Sequence, residues 1–444
     1  MTEKFFIKTF GCQMNVYDSS RIADMLRNQG YEETAKQQDA ELVIFNTCHI
    51  REKAAEKLFS DLGRALLIKQ ERAAEGKQTV IGVVGCVVQA EDEQILKRAP
   101  FVDFAVGPLM YHTIKDILQR IKENKTHEGE VYTDFPAESK FDYLPENKAQ
   151  GACSYLAVQE GCNNFCTYCV VPYTRGVEYS RPVEEVLAEA KRLISTGSLE
   201  INLLGQNVNS YHGEDKNGKE RDLAYLLHKM AELDGLQRLR YTTSYPADMT
   251  DELIDCHRDI KILMPFLHLP LQSGSDKILK AMNRRHNVED YLRIIEKLYK
   301  ANSELRMSSD FIVGFPGETD EDFAKTLDAV NKVKYIQAFS FKYSRRPGTP
   351  AAVMENQIEE KVKKERLEIL QNLLFDYQDK FNKSCIGRVL PVLLEEKGRH
   401  KGQLIGRTPY MQNLHVETNS ANLNKIINVE VVEATTNSLS GKEL

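Results

Sequence analysis

Short apolar runs alternate with amphipathic stretches in the N-terminal part of the chain. The stretches at 18–29 and 51–74 have helical periodicity and stop before Gly30 and Gly76, and glycine commonly ends a helix. This alternation predicts βαβ units that build a parallel sheet. We assign residues 3–122 to this first domain, with strands at KFFIKTF, AELVIFN, TVIGVVG and FVDFAVG.

The composition becomes polar and irregular over 123–147, which predicts a linker. A second unit follows over 148–377, where six apolar runs again alternate with helical stretches. Six repeats are too few for an eight-stranded barrel, so the pattern predicts a partial, open (β/α)6 barrel. The six runs are SYLAV, EINLLG, RLRYTTS, FLHLPL, RMSSDFIVGF and YIQAFSF.

The C-terminal part begins with a charged stretch, 357–381, whose pattern predicts one long helix. Short strand-like runs separated by turn residues then predict a small all-β barrel over 378–441. The runs are VLPVLLEE, GQLIGRT, NLHVET and IINVEVVEA. The predicted fold class is therefore α/β, with an N-terminal parallel sheet, a central partial barrel and a small C-terminal β-barrel.

The composition agrees with a folded chain of several domains, because 444 residues exceed what one hydrophobic core serves. The hydrophobic fraction of 42% and the charged fraction of 28% are ordinary for globular proteins. No run approaches the roughly 18 apolar residues of a membrane span, and no signal peptide is evident, so we expect a cytoplasmic protein that does not enter a membrane. The net charge of -6 excludes a strong global attraction to nucleic acid, so any such contact must be local.

Three of the nine cysteines lie in EGCNNFCTYC, directly after the first strand of the central unit. We call Cys162, Cys166 and Cys169 the central triad. Thiolates suit zinc or iron–sulfur clusters, but a structural zinc site needs four ligands; a zinc knuckle completed by a distant residue is the alternative. Three thiolates on a four-iron cluster leave one iron open, as a reaction centre requires. The spacing resembles the motif of the radical S-adenosylmethionine superfamily, which implies that the open iron binds this cofactor and that its cleavage gives a deoxyadenosyl radical.

Polar residues and glycines follow the later strands of the predicted barrel, at the end where ligands collect in parallel α/β folds. Each is by itself typical of a turn. Their recurrence after successive strands makes them candidates for contact with S-adenosylmethionine. The candidates are Gln206, Asn207, Ser244, Gln272 and Gly314.

A second group, the N-terminal triad, consists of Cys12, Cys48 and Cys86, which are far apart in sequence. A lone cysteine is usually a small buried hydrophobe. Each of these, however, ends an apolar strand, and parallel strands bring their carboxyl ends to one edge of a sheet. The N-terminal triad therefore predicts a second cluster with an open iron. We expect structural or incidental roles for the remaining three, Cys153, Cys256 and Cys385.

Motifs along essentially the whole chain resemble the methylthiotransferase family of radical S-adenosylmethionine enzymes, and most closely its bacterial transfer-RNA branch. They are TFGCQMNVYDS, NTCHIREKA, VVGC, EGCNNFCTYCVVPYTRG, LLGQNVNSY, HLPLQSGSD, FIVGFPGET, YSRRPGTPA and the GRT of the tail. The resemblance implies a methylthiotransferase domain, a radical domain and a TRAM domain, which is a small RNA-binding β-barrel. It also implies that each triad holds a 4Fe-4S cluster.

The resemblance further implies conversion of N6-(dimethylallyl)adenosine, or N6-isopentenyladenosine, to its 2-methylthio derivative at position 37 of tRNA, beside the anticodon. One S-adenosylmethionine would methylate sulfur at the auxiliary cluster, and a second would yield the radical that removes hydrogen from C2 of the base. Radical chemistry is needed because an unactivated aromatic C–H has no acidic proton for acid–base catalysis. A flavodoxin or ferredoxin as electron donor and a monomeric state complete this expectation.

Basic residues cluster at 283–287, 343–348 and 397–407, and each cluster alone is more typical of a solvated loop than of a binding site. Phosphate contacts from the last two would nevertheless suit an RNA substrate. The candidates are Arg345, Arg346, Lys397, Arg399, Lys401 and Arg407.

Three other functions stay open. The same chemistry could act on threonylcarbamoyl-adenosine in tRNA or on an aspartate of a ribosomal protein. A different class is a non-catalytic RNA-binding protein whose iron–sulfur clusters are structural or sense redox state.

Overall fold

The computed structural model describes residues 2–48, 52–123, 129–136 and 140–444. Residues 49–51 of the NTCHIREKA segment, and residues 124–128 and 137–139 of the predicted linker, lie outside this description. The chain forms two compact units. The first consists of Met1–Asn147, Glu160–Asn163 and Val170–Glu178, and the second of Lys148–Gln159, Asn164–Cys169 and Tyr179–Leu444.

The first unit contains the predicted parallel sheet. Its strands are β1 (Lys4–Phe10), β2 (Glu32–Glu33), β3 (Leu42–Thr47), β4 (Val80–Val84), β5 (Phe104–Val106) and β6 (Glu130–Tyr132). They lie in the order β2-β1-β3-β4-β5-β6, and every neighbouring pair is parallel. This order confirms the predicted βαβ architecture.

Helices cover both faces of this sheet. They are α1 (Gln13–Asn28), α2 (Glu52–Ala74), α3 (Cys86–Glu91), α4 (Gln94–Arg98) and α5 (Ile114–Glu123). Alternate residues of β3 enter two separate apolar clusters, Leu42 and Ile44 in one, Val43 and Phe45 in the other. A strand buried on both faces reads as a continuous apolar run, which is why the sequence predicts β3.

The segment 123–147 carries more structure than its polar composition indicates. It contributes β6, which pairs with β5, and the buried residue Lys140. Three partly exposed residues make too short a pattern to predict a strand.

The chain from 148 onward supplies the partial barrel. Its strands are β7 (Cys153–Ala157), β8 (Gln159–Glu160), β9 (Tyr179–Ser180), β10 (Glu200–Leu204), β11 (His212–Glu214), β12 (Glu220–Asp222), β13 (Arg238–Tyr241), β14 (Phe266–His268), β15 (Arg306–Val313) and β16 (Gln337–Lys342). The six predicted repeats correspond to two parallel sheets, β13-β10-β7 and β14-β15-β16. A single bridge pairs Leu239 of β13 with Leu263, just before β14. The open (β/α)6 arrangement is thereby confirmed.

Helices follow the strands of this barrel. They are α6 (Val171–Arg175), α7 (Val183–Ser195), α8 (Leu223–Ala231), α9 (Asp251–Asp259), α10 (Asp276–Ala281), α11 (Val288–Ala301), α12 (Asp320–Val333) and α13 (Glu360–Ser384). The predicted long charged helix corresponds to α13, which runs past residue 378, where the sequence pattern starts the last domain. None of the helices in the described part of the chain is long and apolar enough to cross a membrane.

The C-terminal strands close into a five-stranded barrel, in the order β17-β18-β19-β21-β20. They are β17 (Val389–Lys397), β18 (Gln403–Arg407), β19 (Asn413–Glu417), β20 (Ile426–Ala434) and β21 (Ser438–Glu443). The first four match the predicted strands. The fifth, SLSGKE, has only one large apolar residue, Leu439, and so gives no strand pattern, although its pairing closes the barrel.

A buried ionic group fixes this barrel to β13. Arg238 donates to the Pro391 carbonyl at 2.6 Å and Arg240 to the Pro409 carbonyl at 2.9 Å. The Glu200 carboxylate lies 3.0 Å from Arg240 and 3.5 Å from Arg238, and all three charged side chains are at most 3% exposed. Although burial alone raises the pKa of Glu200, the two arginines lower it below the usual range.

Candidate functional site

The N-terminal triad occupies the carboxyl ends of three adjacent strands. Cys12 follows β1 and precedes α1, Cys48 follows β3, and Cys86 begins α3 after β4. Because β1, β3 and β4 are neighbours in the sheet, the three thiols arrive at the same edge. The Cys48 amide also donates to the Phe10 carbonyl at 3.2 Å, which continues the β1–β3 pairing up to the cysteines.

Two glycines with positive φ make room for the thiols. Gly11 has φ +125°, and a Cβ added there would collide with Cys48 Cβ and lie 2.8 Å from Asn15 Oδ1. Gly85 has φ +99°, and its added Cβ would lie 2.7 Å from the Thr47 carbonyl oxygen. A side chain at either position would push the edge apart.

A network of buried amides supports this edge. Asn15 Nδ2 donates to Asn46 Oδ1 at 2.9 Å, and Asn46 Nδ2 donates to the Asn15 carbonyl at 2.9 Å. Asn46 also donates to Ser19 Oγ at 2.9 Å, and both asparagines are fully buried. Buried polar groups that satisfy one another restrict the local conformation, so β3 and α1 hold their cysteines in fixed positions.

The thiols differ in acidity. A hydrogen bond from the Cys48 thiol and the nearby charge of Arg175 lower the pKa of Cys12 to about 6, against the effect of burial. Burial raises the pKa of Cys86, although Arg175 opposes this. Thiolates are the metal-binding form, so Cys12 is ready to act as a ligand near neutral pH.

A buried cluster of four charges lies beside Cys86 within the same unit. Arg175 at the end of α6 binds Asp18 at 2.7 Å and Glu160 at 2.6 Å, and Lys140 binds Asp18 at 3.0 Å and Glu160 at 2.8 Å. All four side chains are at most 3% exposed. Arg175 Nε also donates to Cys86 Sγ at 3.3 Å.

The central triad lies on the loop after β8. The Cys162 amide donates to the Gly176 carbonyl at 3.3 Å, and the Cys169 amide to the Cys166 carbonyl at 2.9 Å. Cys166 is 8% exposed, and the other two cysteines are partly exposed. Main-chain hydrogen bonds therefore hold Cys162 within the first unit, and Cys169 to Cys166 within the second.

The basic segment 283–287 holds part of this loop and is not simply solvated. Arg284 donates to Cys166 Sγ at 3.7 Å and to the Pro270 carbonyl at 2.7 Å. Arg285 donates to Asn164 Oδ1 at 2.8 Å. The solvated-loop interpretation is therefore wrong for Arg284, whose guanidinium also stacks 4.1 Å from the ring centroid of Tyr245.

Each triad offers only thiolates, the ligand type that suits both zinc and iron–sulfur clusters. Within the described ranges, no three His, Cys, Asp or Glu side chains stand close enough to share one metal ion. A four-iron cluster does not require this, because each thiolate binds its own iron. All nine cysteines are free thiols, and at the N-terminal edge Cys48 contacts Cys12. The roles of the six cysteines stay predictions.

The five candidate cofactor contacts lie at the carboxyl ends of barrel strands in two groups. Asn207 follows β10 and donates to Asp248 Oδ2 at 2.7 Å, while Ser244 follows β13. Among the described residues, Asn207 Oδ1 and Ser244 Oγ are buried without a hydrogen-bond partner, so a ligand at these strand ends could satisfy them. The backbone amide of Gln206 donates to Gln159 Oε1 at 2.9 Å.

The second group has structural roles of its own. Gln272 has φ +74°, and its backbone amide donates to the backbone carbonyl of Asp310 at 2.9 Å. Gly314 has φ +70°, and its amide donates to the Glu318 carboxylate at 3.0 Å. A Cβ at Gly314 would collide with Lys363 of α13, which explains the glycine without a ligand.

The candidate RNA contacts fall into two places. Lys397, Arg399 and Lys401 are exposed on the β17–β18 connection. Arg345 is exposed after β16, and the Arg346 carbonyl accepts from the Thr349 hydroxyl at 2.7 Å. Arg407 is bound within the C-terminal barrel, with Nε 3.7 Å from Glu395.

An aromatic face of β16 is absent from the sequence-based candidates. Phe339 and Phe341 alternate along the strand and remain 41% and 39% exposed. Phe339 pairs with Asp310 of β15, and His268 of β14 lies 3.4 Å from the Asp310 carboxylate. The same sheet face thus offers aromatic rings, an imidazole and a carboxylate.

Sequence reasoning also missed Arg175 and Arg284. Their contacts to cysteine sulfur join residues 89 and 118 positions apart, which no local pattern reveals. The sequence did mark both positions, because Arg175 lies near the end of the motif EGCNNFCTYCVVPYTRG and Arg284 lies in the basic segment 283–287.

Comparison with known families gives three matches in sequence order. Residues 4–107 match Uncharacterized protein family UPF0004, residues 156–330 the Radical SAM superfamily, and residues 383–444 the TRAM domain. The radical S-adenosylmethionine match implies a 4Fe-4S cluster and S-adenosylmethionine in the central domain.

Solved structures share the fold at low identity. The radical S-adenosylmethionine methyltransferase TsrM from Kitasatospora setae, with cobalamin and a [4Fe-4S] cluster bound, is 13% identical, with a TM-score of 0.58 over 80% of this chain and 77% of that one. The cobalamin-dependent S-adenosylmethionine radical enzyme OxsB is 12% identical, with a TM-score of 0.53 over 85% of this chain and 58% of that one. These likenesses show the radical enzyme fold alone. The three matches together give this chain a radical S-adenosylmethionine methylthiotransferase-type domain architecture.

Proposed function

We propose that this protein is a tRNA-2-methylthio-N6-dimethylallyladenosine synthase, which methylthiolates C2 of the modified adenosine at position 37. The observation that carries the proposal is the presence of two cysteine triads in one chain, one on the radical-domain loop and one at a sheet edge. A single triad would suffice for radical formation. A second calls for chemistry beyond it, and sulfur transfer is such a chemistry.

The residues divide this work between the domains. When bound, the centre on the central triad supplies one-electron cleavage of S-adenosylmethionine, and the centre on the N-terminal triad supplies the place for the sulfur to be transferred. Asn207 and Ser244, with their unsatisfied buried oxygens, would orient S-adenosylmethionine at the ends of β10 and β13.

Two features support a nucleoside in RNA as substrate. Phe339 and Phe341 present exposed rings on one strand, and aromatic rings stack bases in single-stranded RNA loops. Arg345 follows that strand and is exposed, so it would neutralise a phosphate near the stacked base. The exposed cations of the β17–β18 connection would add affinity that does not depend on base identity.

The cellular setting belongs to the same proposal. Nine free thiols suit a reducing compartment, which supports the cytoplasm. The cleavage of S-adenosylmethionine consumes electrons, so a flavodoxin or ferredoxin would supply them. We propose a monomer, since one chain carries both triads and the RNA-binding barrel.

The test offers the reconstituted protein its candidate substrates under anaerobic conditions. Dithionite and S-adenosylmethionine are supplied with tRNA bearing dimethylallyladenosine, tRNA bearing threonylcarbamoyl-adenosine, or ribosomal protein, and the digests are analysed by mass spectrometry. We expect the methylthio product from the first substrate only. Cys153→Ala is the matched control for alanine variants of the triad cysteines, such as Cys12→Ala and Cys162→Ala. It should keep activity, because burial raises the pKa of Cys153 and leaves it a thiol.

Each other result selects an alternative. A product from threonylcarbamoyl-adenosine or from ribosomal protein would keep the chemistry and replace the substrate. Loaded protein that forms neither deoxyadenosine nor product would favour a non-catalytic RNA-binding protein.

A further inference from the structure

A buried charge cluster lies beside Cys86. Asp18, Lys140, Glu160 and Arg175 form a closed ring of ion pairs with two positive and two negative charges. Replacing such a group with apolar residues is often neutral or stabilising, so a buried ionic group is weak evidence for a stability role. The geometry of the ring indicates instead that it orients Arg175.

The ring fixes one side chain in a defined orientation. Both terminal nitrogens of Arg175 are held, NH2 by Asp18 at 2.7 Å and NH1 by Glu160 at 2.6 Å. A guanidinium is planar, so holding these two nitrogens also sets the direction of the Nε–H bond. That bond donates to Cys86 Sγ at 3.3 Å. Lys140 donates to the same two carboxylates and so balances the charge of the ring.

We propose that Arg175 is a positioning residue that sets the reduction potential of the iron–sulfur cluster on the N-terminal triad, through its hydrogen bond to Cys86 Sγ. This inference rests on the proposed function, which places a cluster there. One-electron reduction takes the cluster from the 2+ to the 1+ state and adds negative charge to its sulfurs. An N–H donor in a buried site stabilises the more negative state, so the bond raises the potential.

The central triad has a comparable but longer contact. Arg284 reaches Cys166 Sγ at 3.7 Å and divides its donors between that sulfur and the Pro270 carbonyl. Because this contact is longer, we expect Arg284 to shift the reduction potential of the central cluster less than Arg175 shifts that of the N-terminal cluster.

The test isolates the N-terminal cluster in the full-length chain. Replacing the central triad with alanines leaves one cluster, which is reconstituted and titrated with dithionite and redox mediators while the reduced state is followed by electron paramagnetic resonance. In this background, Arg175→Lys keeps the positive charge between the carboxylates and removes the Nε donor. We expect the equilibrium constant for reduction to fall at least tenfold, which is about 59 mV for a one-electron couple.

Two further variants make the result specific. Arg72→Lys changes another buried arginine of the same unit, one that binds Glu41 at 2.6 Å, and should leave the potential unchanged. Glu160→Asp keeps all four charges but shortens one of the two carboxylates that hold Arg175, so it should shift the potential in the same direction by a smaller amount. If Arg175→Lys does not fold, Glu160→Asp carries the test.

The outcomes separate this inference from the proposed function. An absence of iron from the alanine background would overturn the cluster site and the inference with it. A cluster that loads but has the same potential in Arg175→Lys, or in Glu160→Asp where that variant replaces it, would overturn the inference alone. A lowered potential with Arg72→Lys unchanged supports it.

Discussion

A methyl group added to Gly11 should prevent the N-terminal triad from forming. Gly11 has φ +125°, and the new Cβ would collide with Cys48 and approach Asn15 Oδ1 to 2.8 Å. Neither neighbour can move easily, because Cys48 is 2% exposed and Asn15 is fixed to Asn46 by buried hydrogen bonds. Gly30 offers a matched control, since it has φ +87° and open space within 4 Å.

The comparison separates backbone strain from collision. Gly30→Ala should cost about 1–2 kcal/mol, the usual cost of forcing a side chain into a left-handed conformation. Gly11→Ala should cost this plus about 1–3 kcal/mol for overpacking in a rigid site. The difference of about 1–3 kcal/mol between the variants is the expected contribution of the collision.

Urea denaturation and iron analysis of the two variants measure these effects. Reconstituted wild-type protein and Gly30→Ala should bind about eight iron atoms, as two four-iron clusters require, and Gly11→Ala about four. A Gly11→Ala variant with full iron content and the stability of Gly30→Ala would refute the geometry deduced for this edge.

Three other changes test separate parts of the molecule. Burial lowers the pKa of His257 to about 4, so the unfolded chain binds an extra proton below about pH 6.5. This histidine should lower the stability by up to about 3 kcal/mol as the pH drops from 6.5 through 4. In urea titrations His257→Gln should remove that contribution and leave the similar one of His286, whose pKa burial lowers to about 3. Glu200→Gln leaves two buried guanidinium groups uncompensated and should cost about 3–5 kcal/mol in unfolding free energy. Charge reversal at Lys397, Arg399 and Lys401 should weaken tRNA binding and flatten its salt dependence, while deoxyadenosine formation continues.

Each of these expectations has a contradicting result. Equal pH profiles for wild type and His257→Gln would mean that the histidine is protonated in the folded state. A Glu200→Gln variant as stable as wild type would show that the arginines do not need the carboxylate. Unchanged tRNA affinity after charge reversal would remove the β17–β18 connection from the RNA contact.

Hydrophobic patterning predicts the strands and helices that are buried in a regular pattern, on one face or on both. The continuous run of β3 and the repeated strand ends of the barrel follow directly from periodicity. The positions of Cys12, Cys48 and Cys86 at strand ends predict their shared edge from the sequence, because parallel strands have only one carboxyl edge.

Hydrophobic patterning does not predict strands that depend on pairing with a neighbour, or contacts between charged residues that are far apart in sequence. Strand β21 closes the C-terminal barrel with polar residues, and β6 is too short to show a period. Arg175 contacts Cys86 across 89 positions, a relation that only the folded chain creates. Lys363 of a distant helix gives a second reason for glycine at Gly314, which the local sequence does not reveal, and its contact with the cofactor stays a prediction.

The central claim is that the two triads have different jobs in one methylthio transfer. It is tested most directly by anaerobic turnover of wild type, Cys12→Ala and Cys162→Ala with tRNA bearing dimethylallyladenosine, scoring deoxyadenosine and methylthio product by mass spectrometry. We expect wild type to form both, Cys12→Ala to form deoxyadenosine without the product, and Cys162→Ala to form neither. Methylthio product from either variant would contradict the account.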